Sequence, residues 1–365
     1  MNEATAIIKP QPWIISRRQD LIWFQGSVLV GVGLLLFFWS APNLNNENYT
    51  VWNPVVIALL LWGVMFDGTH VWGTYARSYF AGDESSRAAL PGAWSWAIVA
   101  IGPLIALVDY LVFQPSTSLL GQAGPLFKYF LVFAYLWAYW HLVRQHYGFL
   151  VLYRRKAGEM KRSGTRLDAL VLWTGALYPY LRFSLSDRYV QTGLPQVLPT
   201  EYLVWLRQPL DIAFIVIMVG AVGLMVSGVV EKPRLGPKHL LLLVVIGFSF
   251  VVFELLDNLL TITAALTIFH NLQYHRIVWQ YERGHGRTPS GGLAPYIALG
   301  LILGLFWYFP RVFGVAMTQA SLARNLLLGL GWGIAFHHYL VDARIWRVRR
   351  SPQVSRALDA GAATV

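Results

Sequence analysis

The amino-acid sequence predicts an all-α fold, a polytopic transmembrane bundle of about ten spans with both termini in the cytoplasm. Two observations carry the fold. Hydrophobic residues make up 56% of the chain and charged residues only 13%, the mean hydropathy is +0.48, and the apolar residues fall in blocks long enough to cross a hydrocarbon layer. Basic residues concentrate in alternate connections between those blocks, which is the pattern of cytoplasmic loops. A third observation bears on function: seven of the nine histidines lie at the ends of four apolar blocks.

Taken in order, residues 1–19 are a polar cytoplasmic segment, with Arg17-Arg18 before the first apolar run. No small-residue cleavage site follows, so that run reads as a retained helix. Spans are expected near 20–41, 54–78, 93–113, 126–152, 167–184, 209–230, 239–257, 259–281, 292–312 and 324–346. The fifth contains Pro179, and only Glu254, Asp257 and Asn258 separate the seventh from the eighth. The connection 185–208 is long enough for a short surface helix. The bundle is expected over 20–348, and the Ala/Gly-rich tail 349–365 is expected to be cytoplasmic and disordered.

With the N-terminus inside, the inner loops hold Arg77 and Arg87, the run Arg154-Arg155-Lys156 with Lys161, Arg162 and Arg166, then Lys232, Arg234 and Lys238, then Arg283 and Arg287, and finally Arg347, Arg349 and Arg350. The outer loops 42–53 and 114–124 contain no Lys or Arg. The formal net charge of +11 therefore reports membrane orientation, and nucleic acid is not an expected partner. The chain has no cysteine, which excludes disulfides and thiolate-held metals; any metal must use histidine, carboxylate or amide ligands.

On this topology the second, fourth, eighth and tenth spans run from outside to inside, and four polar clusters fall near the cytoplasmic side. They are Asp67 with His70, His141 with His146, His270 with His275, and His337-His338 with Asp342. Ionisable residues within membrane helices are costly and functional by default, and imidazole suits iron, copper and zinc. The candidate metal ligands are therefore His70, His141, His146, His270, His275, His337, His338, Asp67 and Asp342. Asp67 and His70, and likewise His338 and Asp342, share a helix face. The two H-x4-H pairs do not: five residues turn an ideal helix through about 140° beyond one full turn. Such pairs either flank two metals or need a π-bulge to align them. Gln145 and Asn271, each four residues from a histidine, are expected to orient the imidazoles. His239 and His285 read as interfacial residues beside basic loops.

The two H-x4-H elements with the His337-His338 pair resemble the histidine boxes of integral membrane non-haem iron enzymes, the fatty-acid desaturase and hydroxylase group. That resemblance implies two irons held by His141, His146, His270, His275, His337 and His338. No histidine stands two or three positions before His337, a departure from the usual third box. The His338 to Asp342 spacing is also similar to the late H-x3-D element of bacterial retinal-forming carotene dioxygenases, and the helix around His270 loosely resembles their paired-histidine helix. Asp67-Gly68-Thr69-His70 does not match that family's Pro-His-Gly start.

The expectation is a membrane oxidoreductase of the bacterial inner membrane. It would use dioxygen at a non-haem iron centre, with zinc or copper as alternative metals, on a lipophilic substrate such as an acyl or isoprenoid chain. An electron-donor protein would be its partner. A haem-binding electron carrier, a transporter relaying protons through Asp/His pairs, and a structural subunit are the competing readings.

Overall fold

The computed structural model describes residues 12–41, 52–81, 90–113, 124–159, 161–196, 199–232, 235–286, 291–317, 322–346 and 352–363. Among them there is helix and no strand. Ten long helices follow one another: α1 Arg17–Ser40, α2 Pro54–Arg77, α3 Ala93–Phe113 and α4 Pro125–Lys156, then α5 Arg162–Ser184, α6 Thr200–Ser227, α7 Pro237–Leu255, α8 Leu259–Gly284, α9 Leu293–Met317 and α10 Leu322–Ile345. A last helix, α11, covers Pro352–Ala363. All ten expected segments are helical. Among the described residues, six helices are long and apolar enough to cross a membrane: α1 to α4, α6 from Tyr202, and α7. α5, α8 and α10 have the length but carry more polar residues, and α9 is apolar over a shorter described stretch, Leu293–Tyr308.

Local chemistry sets the boundaries. Asn53 caps α2 by accepting from Val55 N at 2.8 Å, with Pro54 in the first turn. Asn258 caps α8, accepting from Leu260 N at 2.9 Å, so the tight α7–α8 turn falls where Glu254, Asp257 and Asn258 suggest. α6 stops at Gly228, whose φ of 73° is the left-handed conformation glycine adopts without penalty. Pro179 lies within a continuous α5. The 185–208 stretch contains a short helix, Asp187–Val190, and the first residues of α6, which begins at Thr200.

Two sequence expectations are corrected. The tail, expected to be disordered, folds as α11 against α8; Val354, Ala357 and Leu358 are buried, and Gly284 meets the Ala357 carbonyl where any side chain would clash. Of the two arrangements open for the H-x4-H pairs, the π-bulge does not occur in those helices. α4 and α8 stay α-helical throughout, and π turns fall at Leu21–Gln25 and Gly63–Asp67. Loop arginines 87, 234, 287, 347, 349 and 350, and most of loops 42–53 and 114–124, lie outside the described residues.

Glycine contacts bring two of the histidine-bearing helices, α2 and α10, close against their neighbours. Gly329 and Gly333 of α10 lie against Gly102 and Val99 of α3, and Gly304 of α9 lies against Val64 and Gly68 of α2. Backbones this close leave no room for a Cβ, which is how membrane helices gain dispersion contact without a hydrophobic drive. α8 packs on α1, α2, α4, α7 and α11, while α6 leans mainly on α5 and presents apolar residues such as Ile212, Val216 and Val219 outward. An ion network closes one end of the bundle. Arg154 donates to Asp168 at 2.8 Å and Glu231 at 2.6 Å, and Lys238 donates to Glu159 at 2.6 Å and Asp168 at 3.3 Å.

Candidate metal centre

Four side chains from three helices converge in the interior. One nitrogen each from His70 (α2), His141 (α4) and His338 (α10), and one carboxylate oxygen of Asp342 (α10), all lie within 4.8 Å of one another, and all four residues are buried. His70 Nε2 and His338 Nε2 are 3.0 Å apart. Asp342 Oδ2 is 3.7 Å from His141 Nε2 and 3.6 Å from His338 Nε2. Two nitrogens each about 2.1 Å from one cation stand roughly 3.0 to 3.4 Å apart at angles of 90 to 109°. The His70–His338 pair already has the spacing of two ligands on one ion, while the widest separation in the group, 4.8 Å, would close by roughly 1 Å around a bound cation; the donor set, three imidazoles and a carboxylate, is one that iron or zinc takes.

Proton counting shows why His338 points a bare nitrogen inward. Tyr274 OH donates to Asp342 Oδ1 at 2.7 Å, and Thr74 Oγ1 donates to the same oxygen at 2.8 Å. The Thr74 hydroxyl has one proton, so at its 2.7 Å contact with His338 Nδ1 it accepts. His338 therefore carries its proton on Nδ1, and Nε2 offers its lone pair to the centre. Trp346 Nε1 donates to Tyr274 OH at 3.2 Å and completes this shell. Gln145 Nε2 donates to Asp342 Oδ2 at 2.5 Å and lies 2.7 Å from His141 Nε2, so the amide bridges two members of the group. Its Oε1 is buried without a partner.

His270 and His146 stand beside this group. The His270 ring is 5.1 Å from the His70 ring and 5.5 Å from the His146 ring. Both nitrogens of His270, Nε2 of His146 and Nδ1 of His70 are buried without hydrogen-bond partners. Such groups are expensive unless a ligand, ion or water satisfies them. His146 Nδ1 donates to Leu142 O at 2.9 Å, the intrahelical bond that leaves Nε2 as the free acceptor.

The remaining candidates are not brought into the centre. In α4 the 140° turn holds: His141 stacks on Tyr339 of α10 at 4.1 Å, and His146 stacks on Phe269 of α8 at 5.1 Å. In α8 the same turn sends His275 between α9 and α2, where Tyr296 OH of α9 at 2.9 Å and Thr69 Oγ1 of α2 at 3.0 Å occupy both its nitrogens. His337 lies against Trp96 at 3.9 Å between rings, near Tyr75 OH at 3.2 Å and Ser95 Oγ at 3.3 Å. Asp67 ends the π turn before His70 and is half-buried outside the group. Asn271 is buried, with Nδ2 unpartnered.

Thr74, Tyr274 and Trp346 were not singled out in the sequence. A signal existed: Thr74 stands four residues after His70, Tyr274 four after His270 and Trp346 four after Asp342, so each shares the face of a candidate ligand. No family model, no curated protein and no solved structure matches the chain.

Proposed function

We propose that the protein is a membrane-embedded, metal-dependent oxidoreductase that uses dioxygen on a lipophilic substrate at the His70, His141, His338 and Asp342 centre. The convergence of these four buried ligands from three helices carries the reading. Iron is the metal that the donor set and this chemistry favour together, with a second ion drawing on the unpartnered nitrogens of His270 and His146. Bound there, the metal would supply dioxygen activation for C–H oxidation or C=C cleavage. The chain's own part is placement and exclusion. Asp342 is held by Thr74, Tyr274 and Gln145, His338 is held in one tautomer by Thr74, and the packed helices keep bulk water from the reacting carbon. The same reading places ten spans in a bacterial inner membrane with both termini and the basic loops in the cytoplasm, and makes an electron-donor protein the partner there.

Elemental analysis of the detergent-purified protein, with an absorption spectrum of the same sample, tests this directly. About one to two irons per chain, no Soret band, and loss of the metal in both His141→Ala and His338→Ala are the expected result. A well-folded protein that binds no metal, or that shows a haem spectrum, would overturn the reading.

A further inference from the structure

Among the described residues, two aromatic routes lead away from the four ligands, and they differ in how they are joined to them. The first begins at a ligand. Asp342 Oδ1 accepts from Tyr274 OH at 2.7 Å, and Tyr274 OH accepts from Trp346 Nε1 at 3.2 Å. Tyr274 is buried; Trp346, four residues after Asp342 and just past the end of α10, is half-buried. Two hydrogen bonds therefore join a buried ligand to the end of the bundle. The Tyr281 ring follows 5.9 Å from the Trp346 ring, and the His285 ring lies 4.4 Å from that of Tyr281. Arg77 in the last turn of α2 and Arg283 in the last turn of α8 make this a basic end. The second route is His337, stacked at 3.9 Å on an exposed Trp96. His337 is joined to the centre by the backbone it shares with His338, and its hydroxyl contacts, Tyr75, Tyr79 and Ser95, are not ligands.

Arg77 decides what kind of conductor the first route is. Its guanidinium carbon lies 3.5 Å from the centre of the Tyr281 ring and 5.2 Å from that of Trp346. A cation over a ring is held by the ring's electrons, so removing one of those electrons costs more than from a ring without that neighbour. Neither ring is then a stopping place for a hole. An electron can still tunnel past them, and tunnelling falls off less steeply along covalent and hydrogen bonds than across gaps. The indole has a single N–H, and it is spent on Tyr274.

We propose that Trp346 and Tyr274 are the electron-entry path of the centre: a one-electron reductant at the basic end, a reduced iron–sulfur or flavin protein, passes its electron by tunnelling through Trp346, Tyr274 and Asp342 to bound iron. In each transfer the donor is oxidised by one electron and the iron goes from ferric to ferrous. The two aromatic residues end unchanged, their protons stay on Trp346 Nε1 and Tyr274 OH, and no covalent bond forms or breaks. The inference rests on the proposed reading of the centre, but electron entry is measurable without turnover.

The experiment uses the full-length, iron-loaded protein, whose lack of native cysteine lets one photosensitiser be attached at a chosen place. A ruthenium polypyridyl maleimide is placed at Arg283→Cys, beside the route, or at Arg162→Cys, at the start of α5; both positions are exposed. A laser flash with ascorbate as sacrificial donor injects one electron, and the loss of the ferric absorption and EPR signals gives the rate. Trp346→Phe is expected to slow injection from position 283 about tenfold, the lower end of what losing a partner behind a metal ligand costs. Iron content, ferric EPR line shape and unfolding temperature are expected to stay as they were, which separates a lost path from a damaged site. Trp346→His, whose Nε2 stands as many bonds from the backbone as the indole nitrogen, is expected to restore the rate. Injection from position 162 should not respond to Trp346→Phe, and Trp96→Phe should change neither rate. Equal rates in wild type and Trp346→Phe, a slowing that Trp346→His does not reverse, or a slowing in Trp96→Phe would overturn the proposal. A purified protein that takes up no iron ends the reading of the centre and this path with it; an iron-loaded protein indifferent to Trp346 ends the path alone.

Discussion

Thr74 connects three of the groups on which the centre depends, since its single hydroxyl donates to Asp342, accepts from His338 and touches Tyr274. Thr74→Val keeps the shape and removes these bonds. It is expected to weaken metal binding by about 10- to 100-fold, the usual effect of losing a residue that orients ligands, measured by competition with a chelator. His275 gives the opposite expectation. Both its nitrogens are engaged by Tyr296 and Thr69, so His275→Ala should retain its metal in full while losing about 1 to 3 kcal/mol of stability through the polar partners left behind. Elemental analysis beside thermal unfolding checks this, and loss of metal in His275→Ala would mean that the centre lies further along α8 than described. These two residues also show the limit of spacing arguments. The H-x4-H repeat makes His146 and His275 look equivalent, yet His146 faces Phe269 and His270 of α8 while His275 faces Tyr296 of α9 and Thr69 of α2.

At the scale of helices, the centre is built by close backbone contacts. α3 and α10 meet through Gly102 and Gly329, and the next turn of α10 brings Gly333 against Val99. Gly329→Leu is expected to push α10 away, to cost about 1 to 3 kcal/mol or more as overpacking does, and to lower metal content because His338 and Asp342 ride on the displaced helix. A variant that unfolds earlier yet keeps full metal would separate the α3 contact from the site. The π turn Gly63–Asp67 serves a similar purpose on α2. Its widened turn ends immediately before the helix segment that carries His70, and Gly63 and Gly68 bracket it because Tyr308 and Gly304 of α9 occupy the space their side chains would need.

At the scale of the molecule, the charge pattern and the polar network agree on one end of the bundle. Arg154, Asp168, Glu231 and Lys238 join the end of α4, the start of α5, the segment after α6 and the start of α7. The absence of native cysteine makes the orientation simple to test. A membrane-impermeant maleimide added to intact spheroplasts should label Gln191→Cys and leave Leu235→Cys unlabelled until the membrane is opened; both positions are exposed. The reverse pattern would invert the proposed topology. The sequence by itself determined the helices, because length, apolar blocks, Asn and Pro at helix starts and Gly at ends are local signals that act within one turn. It also determined the His338 and Asp342 pair, which one helix turn places side by side. Only the tertiary structure decided that His70 and His141 join that pair while His275 and His337 turn to Tyr and Trp neighbours. The rotation of a helix about its own axis is set by the neighbours it packs against, as where the glycines of α2 and α10 meet α9 and α3, and the spacing of residues along one helix does not specify which neighbour a face will meet. The fate of the tail was decided in the same way. Residues 352–363 are Ala-rich, with Val354 and Leu358 as their large apolar side chains, and they form a helix where Gly284 lets the α11 backbone approach α8.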